Sequence, residues 1–312
     1  MGIGLRFSSP ASRANPCRPF RINHFAGRPD HRHRALPPQA VPPAAVSTCY
    51  PTHSPLARRR PLLTISTSQS ATAPETLTTT QFLARVDALE PRLAVFDCDG
   101  TLWSGDAGSS FMWWTMENGL LSLEKIDWMK GRYMRYKAGD VSELDICGEM
   151  VQVYEGIPVA TLRHAAAEFF ATQVEKNIFP EMLGLVRDLR RAGVDIWAVS
   201  STCDWVVEEG VRRFDIAPDH VLAACVTCSG ASGAAVATAT LRDVPTDEGK
   251  VASLARAGIT HPDVVFGNSL HDAAMLAIAR GAFPVNPSAD LARLSAQRHW
   301  PVFWPASVRP PS

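Results

Sequence analysis

Nowhere does the 312-residue chain hold the unbroken apolar run of roughly 18–20 residues that a transmembrane helix needs. No membrane partner is therefore expected. The first 80 residues contain no lysine and only two acids, Asp30 and Glu75, against ten arginines. They carry 12 of the 24 prolines, in pieces such as Pro37-Pro38 and Pro42-Pro43, and lack helical or strand periodicity. Such a stretch cannot build a core, so residues 1–80 are expected to be a disordered tail. Being Arg-rich, Ser-rich toward its end and nearly acid-free, the tail has the composition of an organelle transit peptide. It lacks the compact apolar segment of a secretory signal. An extension from an over-early start codon, or a solvated linker, fits the same composition. The expected location is the cytoplasm, or a plastid or mitochondrion if the tail is a transit peptide.

Net charge is missing as well, but only by cancellation. After residue 80 there are 29 acidic and 21 basic residues. An acidic globular part does not offer the clustered Lys and Arg that duplex phosphates require, so no nucleic-acid partner is expected. The seven cysteines are odd in number and irregularly spaced, which argues against a disulfide framework. Cys225 and Cys228 form one CxxC, but no second pair completes the four ligands of a structural zinc. Their apolar flanks read as a packed strand.

What the chain does have is an alternation of short apolar strands and helices. Leu93-Ala94-Val95-Phe96 is a strand that ends at the acidic turn Asp97-Cys98-Asp99-Gly100-Thr101. Four helical segments follow, from about residue 103 to 177, without a strand pattern between them. Strands are then expected at 194–199, 221–227, 264–266 and 282–285. Helices should lie between them, and 234–241 is a hairpin partner for the second of these strands. Apolar strands alternating with helices imply a parallel sheet covered on both faces. Ligands in such sheets sit outside the carboxyl ends of the strands. There the sequence places Asp97 and Asp99, Ser200, Lys250, and Asn268 with Asp272.

These residues fall into four ordered motifs. They are Phe96-Asp97-Cys98-Asp99-Gly100-Thr101, then Ala198-Val199-Ser200, then Gly249-Lys250, then Gly267-Asn268-Ser269-Leu270-His271-Asp272. Together they resemble the haloacid dehalogenase-like superfamily, in its phosphatase branch near phosphoserine phosphatase, over about residues 91–305. The resemblance implies an α/β fold: a three-layer parallel-sheet core over 81–103 and 178–305, with an inserted all-helical cap over 104–177. It implies Asp97 as the nucleophile, forming an aspartyl-phosphate, and Asp99 as the general acid and base. Ser200 and Lys250 would bind the phosphate. Mg²⁺ would be held by the Asp97 side chain, the Asp99 carbonyl and the Asn268 side chain, with Asp272 behind them. The presence of Asp99 favours phosphatase over dehalogenase chemistry, because a halide leaves without a proton. A calcium loop, which also uses Asp-x-Asp-Gly, is excluded by Gly108 at loop position 12 and by the preceding strand. The chain departs from the family pattern at Asn268, where Asp is usual; the oxygen ligand is kept and one negative charge is lost.

The expected function is a Mg²⁺-dependent phosphatase acting on a small phosphomonoester. Alternatives are a phosphotransferase to an alcohol acceptor and a non-catalytic binding protein with a decayed site, the latter suggested by Asn268. Asp106, nine residues after Asp97, stands where phosphoserine phosphatases carry a Glu against the substrate amine. It implies a cationic substrate, although an Asp there also suits a helix cap. The cap-helix Arg that holds the serine carboxylate in those phosphatases has no counterpart in 145–151; Arg132 and Arg135 lie one helix earlier. Trp103, Trp113, Trp114 and Trp128 crowd the insert, as core or as an aromatic box for a quaternary amine. His271 lies inside the fourth motif, within reach of a substrate, but a solvent-facing role is expected of it. The sequence specifies no oligomeric state.

Overall fold

The computed structural model describes residues 73–231 and 233–308. The tail readings on residues 1–72 lie outside the described residues. The ordered chain begins before the expected Gln81. Strand β1 (Thr76–Leu77) pairs in parallel with β8 (Val302–Phe303). Helix α1 (Thr79–Asp87) starts at a capping box, in which the Thr78 hydroxyl accepts from Gln81 N–H and the Gln81 side chain accepts from Thr78 N–H. Two reciprocal bonds of this kind fix a helix start, and this one draws residues 76–80 out of the expected tail.

A six-stranded sheet follows, built from β2 (Leu93–Phe96), β3 (Asp195–Cys203), β4 (Val221–Ser229), β5 (Val236–Asp243), β6 (Val264–Gly267) and β7 (Gly281–Pro284). Its order is β5-β4-β3-β2-β6-β7. All neighbours run parallel except β4 and β5, which form the expected antiparallel hairpin. Strand β2 is central: Phe96 pairs with Ala198 on one side and Phe266 on the other. Its last three residues are buried, as are all four of β6, which is why both read as continuous apolar runs rather than alternating ones. Helices α6 (Pro180–Arg191), α7 (Asp204–Val211), α8 (Glu248–Arg256), α9 (Ala273–Ala277) and α10 (Ala289–Arg298) connect or follow the strands. Two separate clusters of buried apolar side chains surround the sheet. Phe96 and Phe266 belong to one, Val95 and Val265 to the other. Alternation along a strand sends neighbouring residues to opposite faces, so the two clusters are the two covered sides. Cys225 and Cys228 both lie on β4, the first buried and the second half-buried.

Between β2 and β3 lie the four helices of the insert, α2 (Ala107–Glu117), α3 (Leu123–Lys137), α4 (Glu143–Gln152) and α5 (Val159–Phe169). Side chains of Asp106, Ser122 and Ser142 cap the first three. Helix α5 stops short of the expected end of the helical stretch near 177, because a π-type turn over Phe170–Val174 and a 3-10 turn over Glu175–Asn177 take over from it. The hairpin β4–β5 reaches the insert through backbone bonds. Gly156 N–H donates to Ala237 O at 2.9 Å, Ala237 N–H to Ile157 O at 3.0 Å, and Val159 N–H to Ala235 O at 2.9 Å. Gln152 Nε2 adds a bond to Ala239 O at 2.7 Å.

Candidate active site

Adjacency of β3, β2 and β6 brings three strand exits together. Asp97 follows β2, Asn268 follows β6, and Ser200 lies in the last turn of β3 before it ends at Cys203. A cavity of about 210 Å³ opens there, lined among others by Asp97, Asp99, Ser200, Lys250, Asn268 and Asp106. The structure thus gathers these six sequence-predicted residues around one space and sets the seventh, Asp272, directly beneath it.

Lys250 is the anchor. It enters from the first turn of α8 and is 2% exposed. Its Nζ donates to Asp97 Oδ1 at 2.8 Å, to Asp272 Oδ1 at 2.6 Å and to Val199 O at 3.2 Å. All three ammonium protons are spent, so the lysine is locked rather than snorkelling. Asp272 uses its other oxygen to accept from the backbone N–H groups of Asn268 and Ser269 at 2.8 and 2.9 Å. That bond pair shapes the turn after β6, and Gly267 is required beside it, since a Cβ there would sit 2.6 Å from Asp272 Cβ. Asp97 Oδ2 accepts from the Thr101 hydroxyl at 2.8 Å. Gly100 has φ +76°, and a Cβ on it would fall 1.8 Å from Asn268 Nδ2. The motif glycine thus serves both a left-handed turn and the close approach of Asn268.

A family model described as haloacid dehalogenase-like hydrolase matches residues 94–277. The chain belongs to this family. Among solved structures, a Bordetella pertussis Tohama I protein of unknown function is 21% identical, covering 68% of this chain and 98% of that one, with a TM-score of 0.58. A functionally unknown protein from Anaerococcus prevotii DSM 20548 is 12% identical, covering 74% and 92%, with a TM-score of 0.53. At these identities the likeness is one of fold. No curated protein matches the chain.

Electrostatics in this haloacid dehalogenase-like site are dominated by crowded acids. Burial, and then the neighbouring Asp272, push the Asp97 carboxyl up to about 7, although Lys250 pulls the other way. Burial and Asp106 raise Asp99 to about 6, while bonds from Thr202, Trp103 and the Ala107 backbone oppose the rise. Burial tends to lower the Lys250 pKa, but Asp272 and Asp97 outweigh it and hold the ammonium firmly charged. Four carboxylates, Asp97, Asp99, Asp106 and Glu143, line the cavity against a single ammonium. The site is short of positive charge.

A divalent cation fits that deficit. Among the described residues no three His, Cys, Asp or Glu side chains converge as a metal cage. The donor set at hand is of another kind: one carboxylate from Asp97, the Asp99 carbonyl and the Asn268 amide oxygen. Hard oxygen donors, few from the protein and the rest from water, suit Mg²⁺.

Sequence reasoning missed two residues that hold Asp99. The Thr202 hydroxyl donates to Asp99 Oδ2 at 2.6 Å and the Trp103 indole N–H to Asp99 Oδ1 at 2.6 Å. Thr202 stands two residues beyond Ser200, but β3 slips register between Ser200 and Cys203, so that Ser200, Ser201 and Thr202 all line the cavity and simple alternation would not have singled it out. Trp103 belongs to neither an aromatic box nor the cavity wall; it is fully buried and packs edge-on against Phe170 at 5.2 Å. Trp113 packs against Tyr133 and Trp114 against Phe111. None of the four tryptophans lines the cavity; the core reading holds for Trp103, while Trp113 and Trp114 are half-buried against the core and Trp128 is exposed. Asp106 both caps α2, accepting from Ser109 N–H at 2.8 Å, and borders the cavity. Arg132 is committed to Glu149 through two bonds of 2.8 and 2.6 Å. His271 does not simply face solvent: it lines the cavity, and its Nδ1 lies 2.8 Å from Asp247 Oδ1.

Proposed function

We propose that the chain is a Mg²⁺-dependent phosphatase that hydrolyses a small, amine-bearing phosphomonoester through an aspartyl-phosphate. The observation that carries this reading is the buried Asp97–Lys250–Asp272 chain, opening with Asp99 into one small cavity. Phosphoryl transfer asks for an in-line nucleophile and for neutralisation of the phosphate charge. An Asp97 oxygen attacks phosphorus as the bond from phosphorus to the alcohol oxygen breaks. Asp99 gives its proton to that oxygen, and its raised pKa suits a general acid. In the second half Asp99 takes a proton from water, whose oxygen attacks phosphorus. The bond to Asp97 breaks, and inorganic phosphate leaves. Ser200 holds a phosphate oxygen, while Lys250, its protons bonded to Asp97, Asp272 and Val199 O, contributes its positive charge beside the phosphate. When bound by Asp97, the Asp99 carbonyl and Asn268, Mg²⁺ offsets the repulsion between carboxylate and phosphate. Asp272 supports it from behind. Helices α3 and α4 form the far wall of the cavity, act as a lid and exclude water.

The cavity is smaller than the roughly 300–1,000 Å³ of drug-sized ligand sites, which supports a substrate of only a few carbons. Inorganic phosphate release from a panel of phosphomonoesters tests the reading. The variant Asp97→Asn should lose activity and keep its thermal midpoint. Retention of more than about a hundredth of wild-type turnover would refute the nucleophile assignment. Trapping of fluoroberyllate on Asp97 with Mg²⁺ separates a working site from the decayed one that Asn268 might otherwise suggest.

A further inference from the structure

We infer that Glu143 is the specificity residue of this site and that it selects a phosphomonoester whose alcohol carries a primary ammonium and no carboxylate. This rests on the phosphatase reading and deepens it. Glu143 opens α4 and lines the same cavity as Lys250. Its Oε2 accepts from the Tyr136 hydroxyl at 2.5 Å, and its Oε1 accepts only the weak thiol donor of Cys147 at 3.5 Å. Both partners are neutral, so neither balances the charge. Among the described residues the one basic group within 4 Å is His271, whose Nε2 is 3.8 Å away, beyond hydrogen-bond reach. That imidazole already uses its Nδ1 with Asp247. The Glu143 side chain is only 18% exposed. A shielded carboxylate without a bonded cation is costly, and Glu143 lines the cavity a substrate would fill, with acceptor capacity to spare on Oε1.

The same wall rejects a carboxylate. Among the described residues no arginine lines the cavity, and Arg132 is paired with Glu149. A carboxyl group on the substrate would meet Glu143 and Asp106 instead of a cation. Nor does the wall form a cage for a quaternary ammonium. Lys137 Nζ sits over the rings of Tyr133 and Tyr136 at 5.2 and 5.3 Å, and Trp113 packs edge-on to Tyr133 at 5.5 Å. Lys137 thus already places a cation on one face of each tyrosine ring, and the acceptor that Glu143 offers needs N–H donors, which a quaternary ammonium lacks. Lys250 for the phosphate and Glu143 for the ammonium give the one cavity two opposite preferences.

The test compares four esters on the full chain in saturating Mg²⁺: phosphoethanolamine, propyl phosphate, phosphoserine and phosphocholine. Propyl phosphate matches phosphoethanolamine in size and lacks the charge. Wild-type kcat/KM should be highest for phosphoethanolamine, at least about tenfold above propyl phosphate, as one charge-assisted contact supplies. In Glu143→Gln the ratio of these two values should fall by at least about tenfold. The Gln keeps an oxygen for Tyr136, and if it still disturbs folding, the wild-type ranking decides alone. A ranking led by propyl phosphate, phosphoserine or phosphocholine overturns the inference while leaving the phosphatase reading in place. So does a ratio unchanged in Glu143→Gln. No turnover of any ester by the wild type would fell the phosphatase reading and this inference with it.

Discussion

Thr202→Val isolates one hydrogen bond at the proposed general acid. The swap is nearly isosteric, and Thr202 is buried, so it removes the hydroxyl proton that Asp99 Oδ2 accepts at 2.6 Å and little else. That bond favours the ionised carboxylate and holds down a pKa that burial and Asp106 have raised to about 6. A hydrogen bond to a charged group contributes about 1.5–3 kcal/mol. At about 1.4 kcal/mol per pH unit, losing it should lift Asp99 to roughly 7–8. The direction follows from the role. Transfer to the alcohol needs protonated Asp99, so kcat/KM, which reports the free enzyme, should fall as pH rises through the Asp99 pKa. In saturating Mg²⁺, which keeps Asp97 ionised, the wild-type decline should centre near 6 and the variant's one to two pH units higher. At pH 8 the variant should retain roughly 10- to 50-fold more of its own low-pH plateau than the wild type does. A decline that stays in place, or moves to lower pH, would refute the assignment of Asp99 as the acid. Trp103→Phe removes the bond at the other oxygen but empties space in the core, which makes it the less clean probe.

Two other outcomes are expected. Asn268→Asp restores a negative donor beside Asp97, so the Mg²⁺ concentration for half-maximal activity should fall several-fold, read by titration and by Mn²⁺ binding followed by electron paramagnetic resonance; an unchanged value would remove Asn268 from the metal site. Asp204, at the start of α7, is raised to about 7, first by burial and then by Glu208. The folded state therefore prefers its neutral form, and stability is lost as pH rises from about 4 through 7. Asp204→Asn should gain about 1–2 kcal/mol at pH 8 and nothing near pH 4, a difference that urea midpoints at the two pH values will read.

Much of this architecture is legible in the chain because the sheet is parallel. Buried strands such as Leu93–Phe96 and Val264–Gly267 are continuous apolar runs that stop at polar residues, so strand ends and catalytic candidates announce each other. Helix limits are less legible where geometry rather than pattern sets them. The segment expected as a helix from Asp272 begins instead with a 3-10 turn, Leu270–Asp272, because Asp272 is turned back onto the amides of Asn268 and Ser269. A two-residue strand such as Thr76–Leu77 has no period to detect. It exists through its partner more than two hundred residues away. The residues that act through another, Thr202 and Trp103, carry no motif. Glu143 and Tyr136 were hidden for a further reason: which face of an insert helix meets the cavity depends on packing across the domain, not on local spacing.

If α3 and α4 act as the proposed lid, the bonds between the β4–β5 hairpin and the loop that joins α4 to α5 change how that lid would move. An insert attached only by its two chain crossings would swing as a door on two hinges. This one has a third tether, a short seam from Gly156 to Val159 stitched onto an edge strand. Admission of substrate then has to flex that ribbon or unzip the seam. The ribbon has slack for flexing, since its ladder slips register twice, at Cys225–Val226 and Val226–Cys228. The amides of Gly156 and Val159 therefore become reporters of breathing at a site they never touch, and their exchange with deuterium should slow when a phosphate analogue holds the lid shut.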